Sequence, residues 1–304
     1  MDITIGCFGK LPFHREFIRI EASGPEATAL DEFFQNGLQH ARQIGGAAFE
    51  QSYLQQTTPF GFFWKPEATG RMLVGLARPS HDSIGRLFPF AIFASLGGNL
   101  DFPMMPLAMK SFLEEVAGLL PKKWQEIGEV TADVARLRDC AFTETPAWES
   151  HLRQIPMAQH PSAASHVPYL LFYNLGAVAN TLIGVRDARL TYGLGFPLMA
   201  GRESLMPSLS FAVGLAMKGL PSAGSPTALF WRMGEEPLGI LFLGRPSPHI
   251  LHVLIRPEDS EDDIFWLHRD GAVAPEKVRA ALPKELVRVL DSPQATLAGI
   301  LRAF

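Results

Sequence analysis

The sequence predicts an α/β (α+β) protein in which mixed, mostly antiparallel sheets are flanked by helices. Three observations predict it. Apolar runs over 72–77, 90–94, 228–233 and 238–243 have strand length and are parted by Gly and Pro. Other stretches carry apolar residues at helical spacing, as at Leu30, Phe34, Leu38 and Ala41. Gly234-Glu235-Glu236-Pro237 between two of the short runs reads as a hairpin turn, which makes neighbouring strands antiparallel.

In chain order, Ile3-Thr4-Ile5-Gly6-Cys7-Phe8 is a first strand, stopped by Gly9 and Pro12. Ser23-Gly24-Pro25-Glu26 has capping-box spacing and opens an amphipathic helix running to about Arg42. Phe60-Gly61-Phe62-Phe63-Trp64 reads as a buried strand, and strands over 72–77 and 90–94 enclose a polar loop. Pro106 suits a first helical position, with Leu107, Phe112, Leu113, Val116 and Leu120 as the apolar face. A further helix covers 124–137. The small, polar stretch 159–165 reads as a linker, dividing an N-terminal domain over 1–156 from a strand-rich C-terminal α/β domain over 157–304. In the second half, strands are expected over 168–175, 190–196, 228–233, 238–243 and 250–255, and helices over 207–218, 257–268 and 284–302. Two sheets are therefore expected.

Composition narrows the function. The chain has 304 residues, 47% of them hydrophobic, which is enough for one large core or two ordinary ones. Its net charge is −4 and its Lys and Arg are scattered, so a nucleic-acid footprint is excluded. The first residues lack the basic start and apolar run of a signal peptide. No apolar stretch approaches the ~18 residues of a membrane span. Cys7 and Cys140 form neither a disulfide scaffold nor a metal knuckle, and read as buried thiols of a reducing compartment. These features predict a cytoplasmic protein.

The most informative residues are Gly9-Lys10-Leu11-Pro12 with Glu16 and Phe17, and the loop motif of Pro79, Ser80, Asp82, Gly85, Arg86, Phe88 and Pro89. Together they resemble the TagF (ImpM) family of type VI secretion accessory proteins. Its motifs read Gly-Lys-Leu-Pro-x-x-Gly-Asp-Phe and Pro-Ser-x-Asp-x-Val-Gly-Arg-x-Phe-Pro. The second motif matches nearly in full. The first departs at Arg15 and Glu16, where the family prefers Gly-Asp. Trp231, within Leu229-Phe230-Trp231-Arg232-Met233-Gly234, is similar to the family's Trp-Trp strand, with Phe230 in place of one Trp. The resemblance implies a longin-like N-terminal part and a non-enzymatic, post-translational negative regulator of secretion. It also implies a forkhead-associated scaffold as protein partner. Two rivals are a longin-like adaptor for a GTPase or other signalling protein and a cryptic hydrolase.

Read for chemistry, the same residues offer no catalytic, cofactor-binding or metal site. Gly6-Cys7-Phe8-Gly9-Lys10 falls short of a phosphate loop, because Thr4 replaces its first Gly and Leu11-Pro12 its hydroxyl residue. Lys10 is free to pair with a carboxylate. Asp82 and Arg86 are the charges expected to be held in place, either as a mutual ion pair or with Arg86 reaching Glu16 as an internal clamp. Ser80-His81-Asp82 cannot form a relay from adjacent positions. His249 and His252, read on a strand, face opposite sides. The acidic run Glu258-Asp259-Ser260-Glu261-Asp262-Asp263 reads as a helix start or an acidic docking face. Phe13, Phe17, Phe60, Phe62, Phe63 and Trp64 are expected to be mostly core, with a few exposed as a contact patch.

Overall fold

The computed structural model describes residues 2–67, 69–98, 100–140, 142–143, 148–161, 169–182, 190, 192–256, 263–269 and 273–304. Among the described residues, nine strands form one sheet, in the order β2-β1-β5-β4-β3-β7-β8-β6-β9. They are β1 (Ile3–Gly9), β2 (Ile18–Ile20), β3 (Phe60–Trp64), β4 (Arg71–Arg78), β5 (Phe90–Gly97), β6 (Gly193–Pro197), β7 (Ala228–Arg232), β8 (Leu238–Phe242) and β9 (Ile264–Trp266). Every pairing is antiparallel except β6 with β9. The two sheets expected from the sequence are therefore one. The joint is β3 against β7, with Phe62 opposite Phe230.

Both faces of the sheet are buried, so its central strands are apolar almost throughout rather than alternating. Phe8, Phe60, Phe62, Phe93 and Phe230 point to the face covered by helices α1 (Pro25–Gln55) and α8 (Ile250–Ile255). Cys7, Phe63, Val74, Ile92 and Trp231 point to the other face. That face is covered chiefly by α2 (Met105–Ala108), α3 (Lys110–Leu119), α4 (Ile127–Arg136), α6 (Leu170–Thr181), α7 (Arg202–Gly219) and α11 (Leu297–Ala303). Short helices α5 (Trp148–His151), α9 (Pro275–Ala281) and α10 (Lys284–Leu290) complete the described set. Each fully buried ring on either face stabilises the fold by about 2 kcal/mol relative to exposure.

Several expectations are corrected. The capping box does not form: Gly24 is the N-cap of α1 and makes no side-chain bond. The helix starts one residue later than a box requires, and the buried Glu26 accepts from Ser95 Oγ instead (2.6 Å). α1 continues to Gln55, past an interruption at Gly46. Residues 170–175 are helix, because Leu170, Leu171, Asn174, Leu175 and Val178 bury one face at helical spacing. Residues 250–255 are also helix. All six are buried, so no polar face betrays the period. Of the helix expected over 257–268, only 263–268 are described, and they contain strand β9. The expected linker lies partly, and the acidic run mostly, outside the described residues.

Candidate functional site

The loop 79–89 joins β4 to β5, as the sequence predicts, and everything in it is arranged around one carboxylate. The Asp82 side chain is fully buried. Its Oδ1 accepts from the amides of Ile84 (3.1 Å) and Arg86 (2.9 Å). Its Oδ2 accepts from Lys10 Nζ (3.0 Å) and Arg86 Nε (2.6 Å). Burial would raise the Asp82 pKa. The bonds from Lys10, from the Arg86 amide and guanidinium and from the Ile84 amide outweigh it and hold the group well below the usual carboxylate range. The loop closes as a miniature hairpin, with Asp82 N donating to Arg86 O and a bridge between His81 and Leu87. Gly85 turns it at φ 86°, a left-handed conformation that a side chain would strain.

The two motifs interlock. Arg86 Nη2 donates to the Arg15 carbonyl (2.7 Å), and Ser83 N to the His14 carbonyl (3.0 Å). Phe17 meets Phe88 edge to face at 5.1 Å. Gly9 adopts φ 130°, and a Cβ there would lie 2.0 Å from the Pro89 carbonyl oxygen. The buried Leu11 adds a side chain to the same wall, while Pro12 is exposed. From the far end of α1, Tyr53 Oη accepts the Ser80 amide. Arg86 thus bonds both Asp82 and the backbone at Arg15, and not the Glu16 carboxylate. Glu16 is exposed, and among the described residues no side chain pairs with its carboxylate.

Chemically the site is saturated. Lys10 is committed to Asp82, which removes it from any phosphate role. His81 Nδ1 lies 2.8 Å from the Asp82 carbonyl, so Ser80, His81 and Asp82 form no relay. His249 and His252 belong to the start and body of helix α8, so their strand-based reading is corrected. His249 contacts Asp263 (3.1 Å), which also accepts from Ser247. Among the described residues no cluster of three His, Cys, Asp or Glu could hold a metal. Cys7 is buried, which raises its thiol pKa to about 12, while Cys140 is half-buried. Phe60, Phe62, Phe63 and Trp64 are core, and Phe13 and Phe17 are half-buried, so these rings form no exposed patch.

The exposed part of the loop is its apex. Ile84 is 57% exposed, and the Arg86 side chain is 51% exposed on its outer side. Arg15 and Glu16 flank the same apex from the first motif. Sequence reasoning missed Tyr53 and the carbonyls of His14 and Arg15.

Residues 6–140 match the TagF N-terminal domain, type VI secretion system-associated. The match spans both motifs and bears out the resemblance read from them. Beyond the TagF-type domain, one solved structure helps with the fold. PA0076 from Pseudomonas aeruginosa PAO1 aligns over 86% of this chain and 98% of its own, at 16% identity and a TM-score of 0.51. That likeness shows a shared fold spanning both halves. No curated protein matches the chain. No described helix is long and apolar enough to cross a membrane.

Proposed function

We propose that this chain is a non-enzymatic, cytoplasmic regulator of a type VI secretion system. It acts after translation by binding a protein component, and a forkhead-associated scaffold is the partner we expect. The observation that carries the reading is the TagF N-terminal match over 6–140. The loop geometry supports it: each charged group at the motif centre is spent internally, so what the motif offers outward is a braced apex rather than a reactive group. Ile84, Arg15, Glu16 and the outer edge of Arg86 form that apex. A rigid loop loses little entropy on docking, which suits it to an interface.

The test mixes the purified chain with a purified forkhead-associated scaffold of a type VI system and measures binding by calorimetry. Saturable binding is expected, and Ile84→Asp should weaken it at least about tenfold with thermal stability unchanged, because it places a charge at the contact centre. Absence of binding by the wild-type chain would overturn the scaffold reading.

A further inference from the structure

A cavity of about 450 Å³ opens on the sheet face away from α1, where the two halves of the chain meet. Leu113 and Ala117 of α3 line it from the first half, and Leu205 and Met206 of α7 with Met233 after β7 from the second. The wall is mostly apolar. Ala117 and Met233 are half-buried in it, and the exposed Gly118 stands at the mouth. Gly118 is helical, and nothing lies within 4 Å of where its Cβ would be. Neither backbone conformation nor close packing asks for a glycine there, and a glycine weakens a helix. What its missing side chain does is leave the mouth clear.

Size, polarity and charge each restrict the occupant. Clefts of about 300–1,000 Å³ take whole small molecules. Ordered water needs about two to four polar partners, which an apolar wall does not supply. A single inserted side chain would leave much of the space empty and forfeit contacts on the open side. The lining holds no aromatic ring to stack on, and Met206 and Met233 are flexible side chains that mould to a flexible ligand. At the mouth, Arg202 bonds Glu114 at 2.9 Å. Lys110 bonds Glu203 and lies 3.8 Å from Glu114. Glu115 also acts on Arg202, so three carboxylates stand against two cations. The mouth has no cation to spare for an anionic head, and Glu114, the carboxylate in the wall, is already shared between Arg202 and Lys110.

We propose that this cavity binds an uncharged, mainly aliphatic small molecule whose hydrocarbon body lies between α3 and α7. Because its wall comes from both halves, the occupant ties them together beyond the β3–β7 joint. Binding therefore stabilises the intact chain. The site stands independently of the scaffold reading, since it uses none of the loop residues 79–89.

The probes are 1-hexanol, 1-octanol, 1-decanol and 1-dodecanol, titrated into the full chain by calorimetry. Affinity should rise about fourfold per added methylene and then level off once the chain fills the cavity. Decanoate at neutral pH should bind at least about tenfold more weakly than 1-decanol, because its charge meets an acidic mouth. Ala117→Phe puts bulk into the space from α3 and should weaken 1-decanol binding at least about tenfold. Gly118→Phe, whose Cβ meets open space, is the second blocked variant, and circular dichroism checks that each is folded. No saturable binding of any alkanol would overturn the proposal and leave the cavity to a side chain of a protein partner. Affinity that climbs without levelling, decanoate equal to 1-decanol, or unchanged affinity in the folded variants would also sink it, since each marks adsorption elsewhere on the surface.

Discussion

Asp82 shows how one residue can organise a motif. It is a buried anion held by two cations and two amides, so removing its charge strands Lys10, whose side chain is only 14% exposed. Asp82→Asn should cost about 3 kcal/mol at neutral pH. Because the folded pKa is depressed, the ionised carboxylate stabilises the fold fully above its unfolded pKa of about 3.9. That stabilisation is lost as pH falls toward the folded value. Thermal unfolding from neutral pH to about pH 2 should therefore show the wild-type advantage over Asp82→Asn narrowing below about pH 4. A gap independent of pH would mean that the charge is not what matters. Arg86→Ala should cost about 2 kcal/mol by denaturant midpoint, and Arg86→Lys about half that, since an ammonium cannot bond Asp82 and the Arg15 carbonyl at once. Unchanged stability in Arg86→Ala together with lost scaffold binding would make Arg86 a contact and not a clamp. Lys10, Asp82 and Arg86 were legible in the sequence because Gly and Pro fix the backbone around them. Their other partners were not. A backbone carbonyl such as that of Arg15 carries no residue signature, and it lies 71 positions from the arginine it holds.

At the scale of elements, the joint between β3 and β7 depends on a glycine. A Cβ on Gly61 would fall 2.0 Å from the Trp231 ring, which stacks on Phe63 at 4.9 Å. Gly61→Ala should destabilise by about 3 kcal/mol, because neither the flanking strands nor the ring can give way. Trp231→Phe shortens the ring and removes an unpartnered buried N–H, so Gly61→Ala with Trp231→Phe should be less damaging than the sum of the two. Additive losses in a denaturation cycle would show that the collision is relieved elsewhere. The same burial explains which elements the sequence disclosed. β1, β3, β4 and β5 are apolar runs of strand length bounded by Gly or Pro, and they were read in place. α8 is apolar on every side, and the start of α6 lacks a cap, so neither displays the polar face that distinguishes a short helix from a strand.

For the whole molecule, the question is whether the halves 1–156 and 157–304 can stand apart. Composition at 159–165 hinted at a boundary, but strand order is set by pairings between distant residues, which local composition does not encode. In the fold, all five residues of β3 are buried, and each pairs with β7 from the other half. The helical layer crosses the joint as well: a Cβ on Gly37 of α1 would lie 2.6 Å from the Pro248 carbonyl, just before α8. Cutting at 156 would therefore bare a five-residue hydrophobic strand edge and the face of α1 beneath α8. Such an edge recruits other chains. We expect residues 1–156 alone to aggregate or to self-associate through β3, read by light scattering after size exclusion. The intact chain should unfold in one transition, with near- and far-ultraviolet circular dichroism coincident. A monomeric 1–156 fragment that unfolds cooperatively would mean the opposite. The β3–β7 joint would then be a docking of two finished domains, each able to fold without the other.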